Sequence, residues 1–209
     1  MERIAGIILA GGRSRRMGGV DKGLLPLGQE PILAEIIGRL GSQVHGLVLS
    51  ANGDPARFST FGLPVVPDSV EGFHGPLAGV EAGLSWVRRE YPDVSWAVTV
   101  PGDTPFIPRD LVARLTQGRG ASPMAVAASA GALHPVIGLW PLSMAEDLAH
   151  ALARGERRAS AWVKGQGAAE VSFEAVDVAG DTLDPFFNIN TPEDLEYART
   201  LIARGALAL

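Results

Sequence analysis

Blocks of apolar and polar residues along the chain predict strands that are followed by helices. Residues 4–9 form a short, nearly all-apolar run, which is typical of a strand buried on both faces of a parallel sheet. Pro31 then indicates the start of a helix, because proline fits the first helical position. The apolar residues that follow it at helical spacing are Ile32, Leu33, Ile36, Ile37 and Leu40.

The same reading predicts further elements along the rest of the chain. Strands are expected at residues 46–50, 64–66, 96–100, 124–128 and 136–140, and near Val171 and Phe186. Helices are expected at residues 54–61, 77–91, 108–115, 144–153 and 159–163. A last helix begins at residues 191–194, where threonine caps, proline takes the first position and two acids face the helix dipole. This order predicts an α/β fold, a three-layer α/β/α sandwich with a mainly parallel, Rossmann-like sheet.

Composition narrows the class of protein. The 209 residues suit one domain over 1–209, and 46% apolar against 20% charged residues is a globular composition. A net charge of −5 and only 6% aromatic residues argue that the protein does not bind nucleic acid, because such proteins generally use a basic surface and aromatic side chains that stack on bases. The absence of cysteine excludes disulfides, iron–sulfur clusters and thiol nucleophiles, and four histidines leave little for zinc. Without a targeting pattern or a run of about 18 apolar residues, we expect a cytoplasmic protein that binds no membrane.

The polar loop at residues 10–22 holds the densest chemistry. It directly follows the first predicted strand and contains four glycines, three arginines and a lysine. Glycines let backbone N–H groups converge on an anion, and arginine and lysine donate to phosphate oxygens. A solvated surface turn is the alternative, but ligands of parallel sheets bind at the carboxyl ends of strands. The loop therefore predicts a polyphosphate site, although it matches neither the Walker A nor the GxGxxG pattern.

Residues 9–28, LAGGRSRRMGGVDKGLLPLG, resemble the LAGGxxxRMGGxDK signature of the molybdenum cofactor guanylyltransferases, within the nucleotidyltransferase superfamily. The resemblance continues over almost the whole chain. Its further segments are Pro67-Asp68, Gly75-Pro76-Leu77-Ala78-Gly79, Pro101-Gly102-Asp103-Thr104-Pro105, His134-Pro135, Gly155-Glu156-Arg157-Arg158 and the run 188–195. Related cytidylyltransferases usually read LAAG where this chain reads LAGG, so Gly11 favours guanine. The resemblance also implies a nucleotide-diphospho-sugar transferase type of fold.

The resemblance implies a transfer of GMP from GTP to the terminal phosphate of molybdenum-loaded molybdopterin. The products are the guanine dinucleotide cofactor and pyrophosphate, and the reaction requires Mg²⁺. GTP and Mo-molybdopterin are then the substrates of a monomer that contacts molybdenum-inserting proteins or molybdoenzymes transiently. Two rival functions remain open: a nucleotidyltransferase of the same fold that uses CTP or another acceptor, and a non-catalytic GTP-binding or cofactor-handover module.

The resemblance also implies roles for individual residues. Arg16, Lys22 and Asp103 form the catalytic set, with Lys22 on the phosphates and Asp103 on the metal. The residues implied to bind the nucleotide are Leu9, Ala10, Gly11, Lys22, Asn52, Asp68 and Asp103. The residues implied for the second substrate are Gly19, Gly75, Gly79, Asn188 and Asn190, of which Gly19 also lies near the reacting phosphates.

The residue chemistry agrees with these roles. Nucleotidyl transfer between two anions needs no protein nucleophile, only charge neutralisation and in-line positioning, which Arg16, Lys22 and a carboxylate-bound Mg²⁺ supply. One aspartate at a strand end is a sufficient anchor for magnesium, and Asp103 fits this role. The alternative interpretation of Asp103 is an aspartate that only stabilises a turn. Gln29 and Glu30 depart from the Gly-Lys-Pro-Leu turn that commonly follows the signature.

Several of these residues keep a plain structural alternative. Asn190 fits the role of a helix-capping residue equally well. Asp68 is alternatively an ordinary loop residue, and Asn52 is alternatively a residue that forms a turn. We expect His134 to be packed or hydrogen-bonded rather than a general base. The 155–158 run is either a solvated helix end or a contact for the second substrate's phosphate. The tryptophans are expected to pack in or near the core, and among them Trp162 is the candidate for stacking on the pterin.

Overall fold

The computed structural model describes residues 2–11, 21–68 and 75–208, and its elements follow the predicted alternation of strands and helices. The strands of the main sheet are β1 (Ile4–Leu9), β2 (Leu47–Ser50), β3 (Val65–Val66), β4 (Trp96–Pro101), β5 (Ala125–Ser129), β6 (Ala132–Pro141) and β7 (Ala169–Ser172). The α-helices are α1 (Ile32–Gly41), α2 (Pro76–Glu90), α3 (Leu111–Arg119), α4 (Met144–Ala153), α5 (Ala159–Gly165) and α6 (Pro192–Ala203). Short 3₁₀ turns lie at Lys22–Leu24, Pro55–Phe61 and Ala206–Ala208, and a hairpin is formed by β8 (Val176–Val178) and β9 (Asp181–Leu183).

The sheet has the order β3-β2-β1-β4-β6-β5-β7 within the described part of the chain. β3, β2, β1 and β4 are parallel neighbours, β6 runs antiparallel to both β4 and β5, and β7 is parallel to β5. The predicted mainly parallel sheet is therefore confirmed. Its strand order reverses direction between β1 and β4, which creates a topological switch point at the carboxyl ends of these two strands.

Helices cover both faces of the sheet, as the apolar strands predict. On β1, Ile4 and Ile8 join the core under α1, α3 and α6, whereas Ala5 and Ile7 join the core under α2, α4 and α5. Because successive strand side chains point to opposite faces, a strand between two helical layers is apolar at every position. The three-layer α/β/α architecture follows from this pattern.

Three predicted elements differ from the structure. The helix expected at 108–115 spans Leu111–Arg119 instead, because residues 108–110 form a turn before it. In its last turn, Gly118 lies so close to β7 that a Cβ there would be 2.6 Å from Val171 Cγ2. The strand expected at 136–140 is the longer β6, since Ala130 and Gly131 have positive φ angles of 47° and 76° and close a hairpin with β5.

The strand expected near Phe186 is absent from the described residues. Phe186 lies in an irregular segment whose backbone N–H donates to the Asp184 carboxylate at 2.8 Å rather than to a neighbouring strand. The Phe186 ring is nevertheless buried, 5.0 Å from that of Phe173. Its hydrophobicity therefore reflects core packing and not strand pairing.

The last helix begins as the sequence predicts. Thr191 Oγ1 accepts from the Asp194 backbone N–H at 3.2 Å, and the Asp194 carboxylate accepts from the Thr191 N–H at 2.8 Å. This reciprocal pair is a capping box that satisfies backbone donors left free at a helix start.

Within the described residues, no helix combines the length and the apolar character that crossing a membrane requires.

Helix α2 packs unusually close to the sheet at Gly83. A Cβ atom at this position would lie 2.6 Å from Cγ2 of Ile7, the fully buried side chain at the centre of β1. We expect Gly83→Ala to lower the free energy of unfolding by about 1–3 kcal/mol, because the added methyl group forces β1 and α2 apart. Thermal unfolding measures this as a midpoint lower by about 2–4 °C per kcal/mol.

Gly38→Ala is the matched control in α1, since no described atom beyond its chain neighbours and the surrounding backbone of α1 lies within 4 Å of a Cβ there. It is expected to gain about 0.5–1 kcal/mol from the higher helix propensity of alanine. An equal gain for Gly83→Ala would contradict the close packing of α2 on β1.

Candidate active site

The carboxyl ends of β1, β2 and β4 form one edge of a concave pocket. Leu9, the last residue of β1, lies opposite Ser50 of β2 and Pro101 of β4. The backbone N–H of Gly102 donates to Leu9 O at 2.9 Å, and a Cβ at Gly102 would lie 3.1 Å from Ala10 Cα. Glycine therefore allows the chain after β4 to cross the end of β1 and places Asp103 beside it.

The pocket lies at the switch point and collects residues from distant parts of the chain. Its lining residues are Leu9, Gly11, Ser50, Asp68, Gly75, Pro76, Gly79, Pro101, Asp103, Val136 and Asn188. Many of the residues that the sequence implies for the two substrates therefore share one pocket. Arg16 and Gly19 lie outside the described residues.

Asp103 is the centre of a polar cluster. Lys22 Nζ lies 3.3 Å from Asp103 Oδ2 and donates to Asn190 Oδ1 at 2.6 Å. Asn188 Nδ2 donates to Asp103 Oδ1 at 3.2 Å, and the Ile189 N–H donates to the Asp103 backbone oxygen at 2.9 Å. The loop after β1, the loop after β4 and the segment before α6 thus meet at one carboxylate.

Burial makes this carboxylate costly to ionise. The Asp103 side chain is 23% exposed, and burial raises its pKa above the usual range, although the nearby Lys22 ammonium lowers it in part. A second cation near Asp103 would stabilise the charged form further. The site is therefore electrostatically suited to a divalent cation next to phosphate groups.

Asn52 and Asp68 form a reciprocal pair on the other side of the pocket. Asn52 Nδ2 donates to Asp68 Oδ2 at 2.7 Å, and the Asp68 backbone N–H donates to Asn52 Oδ1 at 2.8 Å. Asn52 is exposed and Asp68 is partly buried, and they follow β2 and β3 respectively. Their hydrogen bonds hold two loops together and leave polar edges directed to solvent or ligand.

Gly75 and Gly79, which the resemblance implies for the second substrate, differ in their surroundings. Gly75 precedes the helix with a φ of 75°, in the left-handed region that favours glycine. A Cβ at Gly79 would lie 2.8 Å from Ser50 Oγ and 3.5 Å from Asp68 Oδ1. Gly79 is therefore required for close packing of α2 against the Asn52–Asp68 side of the pocket.

Asp184 is a residue that the motifs did not indicate. Both of its carboxylate oxygens lie 2.8 Å from Ser129 Oγ, and Ser129 Oγ lies 2.7 Å from His134 Nε2. Asp184 thereby ties the start of the segment that carries Asn188 and Asn190 to strand β5. The side chain of His134 is hydrogen-bonded, as predicted, and burial lowers its pKa despite the nearby Asp184 carboxylate.

The 155–158 run and Trp162 are also placed, and a Cβ at Gly75 of the pocket would lie 3.5 Å from the Arg157 backbone oxygen. Glu156 accepts from the backbone N–H groups of Arg157 and Arg158 at 2.9 and 2.8 Å, which lowers its pKa, and both arginines are exposed. The rings of Trp162 and Trp140 stack at 5.6 Å and are buried. Trp162 is therefore a packing residue in this structure.

Comparisons with known proteins agree with this geometry. The model of the family described as "MobA-like NTP transferase domain" matches residues 6–171. A protein of Mesorhizobium japonicum named molybdenum cofactor guanylyltransferase is 53% identical over 202 residues, which cover 95% of this chain and 96% of that protein. The chain belongs to the molybdenum cofactor guanylyltransferase family. A second member, from Bradyrhizobium sp., is 49% identical over 96% of this chain and 93% of its own length.

Solved structures support the fold of this family member. The crystal structure of molybdopterin-guanine dinucleotide biosynthesis protein A from Archaeoglobus fulgidus has a TM-score of 0.69 at 20% identity. The match covers 95% of this chain and 98% of that one. The predicted nucleotide-diphospho-sugar transferase type of fold is confirmed. The family membership shown by the sequence relatives makes the chain a nucleotidyltransferase.

Proposed function

We propose that the protein transfers GMP from GTP to the terminal phosphate of Mo-molybdopterin. A terminal phosphate oxygen of the pterin attacks the α-phosphorus of GTP, and the bond from this phosphorus to the bridging oxygen of pyrophosphate breaks. The products are molybdopterin guanine dinucleotide cofactor and pyrophosphate. The names of relatives at about 50% identity over nearly the full chain support this reaction.

The observation that carries the proposal is the cluster of Lys22, Asp103, Asn188 and Asn190 at the switch point. It joins a cation for phosphate oxygens with a carboxylate for a metal ion. Neither the Lys22 ammonium nor the Asp103 carboxylate is paired with a general base that would activate it as a nucleophile. This suits a reaction in which one phosphate attacks another. The cluster therefore favours nucleotidyl transfer over acyl or glycosyl chemistry.

The residues around Asp103 fit a magnesium ion. Its carboxylate oxygens and the side-chain oxygen of Asn188 are hard oxygen ligands, and Asn188 Oδ1 is buried without a hydrogen-bond partner in the described part of the chain. No group of three or more His, Asp or Glu side chains arranged for a metal occurs within 2–11, 21–68 and 75–208. Mg²⁺ needs no such group, since it binds one or two carboxylates together with substrate phosphates. When bound, it offsets charge on the reacting phosphates.

The protein's own residues then position and neutralise the reactants. Lys22 provides an ammonium that is shared between Asp103 and Asn190 and can donate to phosphate oxygens. We assign nucleotide binding to Leu9, Ala10 and Gly11 and to the Asn52–Asp68 pair, which lie at or just after the carboxyl ends of β1, β2 and β3. Holding the attacking and leaving oxygens in line converts a reaction between two anions into an intramolecular step.

Base selectivity tests the guanylyl assignment. We expect GTP to exceed CTP by at least about a hundredfold in kcat/KM, because a site that pairs the guanine edge leaves polar groups unpaired with cytosine. Pyrophosphate release with Mg²⁺ and Mo-molybdopterin measures both nucleotides under the same conditions.

Two results would contradict the proposal. Equal or faster turnover with CTP would assign the chain to the cytidylyl branch of the same fold. Protection of the protein by GTP against thermal unfolding without any pyrophosphate release would instead indicate a binding or handover module.

A further inference from the structure

Arg57 connects two loops of the candidate site through one guanidinium group. Its Nε donates to Asp21 Oδ2 at 3.0 Å, and its Nη1 donates to the backbone oxygen of Asp54 at 2.9 Å. Its Nη2 donates to the backbone oxygen of Asn52 at 2.5 Å. Because the guanidinium is planar and its donors are fixed relative to one another, these bonds hold the two loops in one geometry.

The local structure is built around this side chain. The guanidinium carbon of Arg57 lies 4.4 Å from the ring centroid of Phe58, and Phe58 is 1% exposed. Gly53 has a φ of 88°, and a Cβ there would lie 2.9 Å from Arg57 Nη1. A buried aromatic ring on one side and a glycine on the other therefore fix the position of Arg57.

The two loops carry opposite ends of the proposed nucleotide site. Asp21 directly precedes Lys22, whose Nζ reaches Asp103 and Asn190. On the other loop, the Asn52 side chain pairs with Asp68. Arg57 thus connects the Lys22 side with the Asn52 side.

We propose that Arg57 is a positioning residue that fixes the distance between the groups that bind the base and the groups that bind the phosphates. The inference rests on the proposed function, since it assumes a guanine nucleotide across these two loops. Arg57 acts through Asp21 and Asn52 and touches no reacting atom. A partly exposed ion pair contributes little to stability, so its loss should change nucleotide affinity more than folding.

The test is a double-mutant cycle on GTP binding by calorimetric titration. Arg57→Ala and Asp21→Ala are each expected to weaken GTP binding about tenfold, and the double variant should bind no more weakly than the weaker single variant. KM for GTP should rise while kcat at saturating GTP stays within about threefold of the wild type, because the reacting groups are intact. Arg57→Lys keeps the charge but loses the forked donors and is expected not to restore affinity.

Arg88→Ala is the matched control, because it removes an exposed ion pair with Glu146 between α2 and α4. It should leave GTP affinity unchanged, and thermal midpoints show whether each variant is folded. Wild-type-like binding by Arg57→Ala, or additive losses in the double variant, would overturn the role of Arg57 while the proposed function stands. A wild-type protein that fails to bind GTP would overturn both.

Discussion

Asp103→Asn is expected to lower the rate of pyrophosphate release by about a hundredfold or more, while the protein remains folded. The amide has the size of the carboxylate, and its oxygen can still accept from Asn188 Nδ2. It lacks the negative charge that holds a divalent cation next to the phosphates. GTP binding in EDTA should therefore change little, whereas the gain in affinity on adding Mg²⁺ should shrink.

The same variant is expected to be more stable than the wild type without ligands. Burial raises the pKa of Asp103 in the folded protein, so the ionised carboxylate is less favourable there than in the unfolded chain. The stability contribution of such a group is full below its unfolded-state pKa and is lost as pH rises through its folded-state pKa. At neutral pH the neutral amide avoids this loss, and the thermal midpoint should rise. The difference should vanish in acid, where both side chains are neutral.

Asp177→Asn is the control for these measurements. Asp177 is exposed, and its carboxylate accepts from the Gly180 N–H in the β8–β9 hairpin, an acceptor role that the amide keeps. It should alter neither turnover nor the effect of Mg²⁺. If Asp103→Asn retained near-normal pyrophosphate release, Asp103 would not be the metal anchor, and Asp68 would be the next carboxylate to test.

The parts of the fold that the sequence predicts are those with local signals. β1 and α4 have the predicted bounds, because a run of apolar residues and a helical period are visible without tertiary information. Strand β6 is longer than predicted because it begins directly after a tight turn from β5, in which Ala130, rather than glycine or asparagine, adopts a positive φ. Phe186 has the hydrophobicity of a strand residue, but its backbone N–H donates to the Asp184 side chain instead of to a neighbouring strand. Neither feature has a signature in residue type.

The same distinction applies to the candidate site. Lys22 and Asp103 are predictable, since each lies in a loop after a buried parallel strand, where ligands of such sheets bind. The contacts of Asn188 and Asn190 with this pair join residues separated by 85 and 168 positions, so only the fold places them. Arg57 and Asp184 act through loops and leave no motif. Residues that position others are therefore harder to predict than residues that bind charge.

Lys22→Ala is expected to raise the Kd for GTP by at least about tenfold, since a charge-assisted contact with phosphate is typically worth about 1.5–3 kcal/mol. The variant also leaves the Asp103 carboxylate without its cation, 3.3 Å away in the wild type, and so adds repulsion toward the triphosphate. Calorimetric titration with and without Mg²⁺ measures both effects. The gain in affinity on adding Mg²⁺ should persist or grow, because the metal then provides the missing positive charge at Asp103.

This pattern is opposite to that of Asp103→Asn and separates the phosphate role of Lys22 from the metal role of Asp103. The chain contains one other lysine, Lys164, which is exposed in the last turn of α5. Lys164→Ala changes the net charge by the same amount and should leave the Kd for GTP unchanged. Equal affinities of the two lysine variants would mean that Lys22 only pairs with Asp103 and Asn190, and that the loop before it does not bind phosphate.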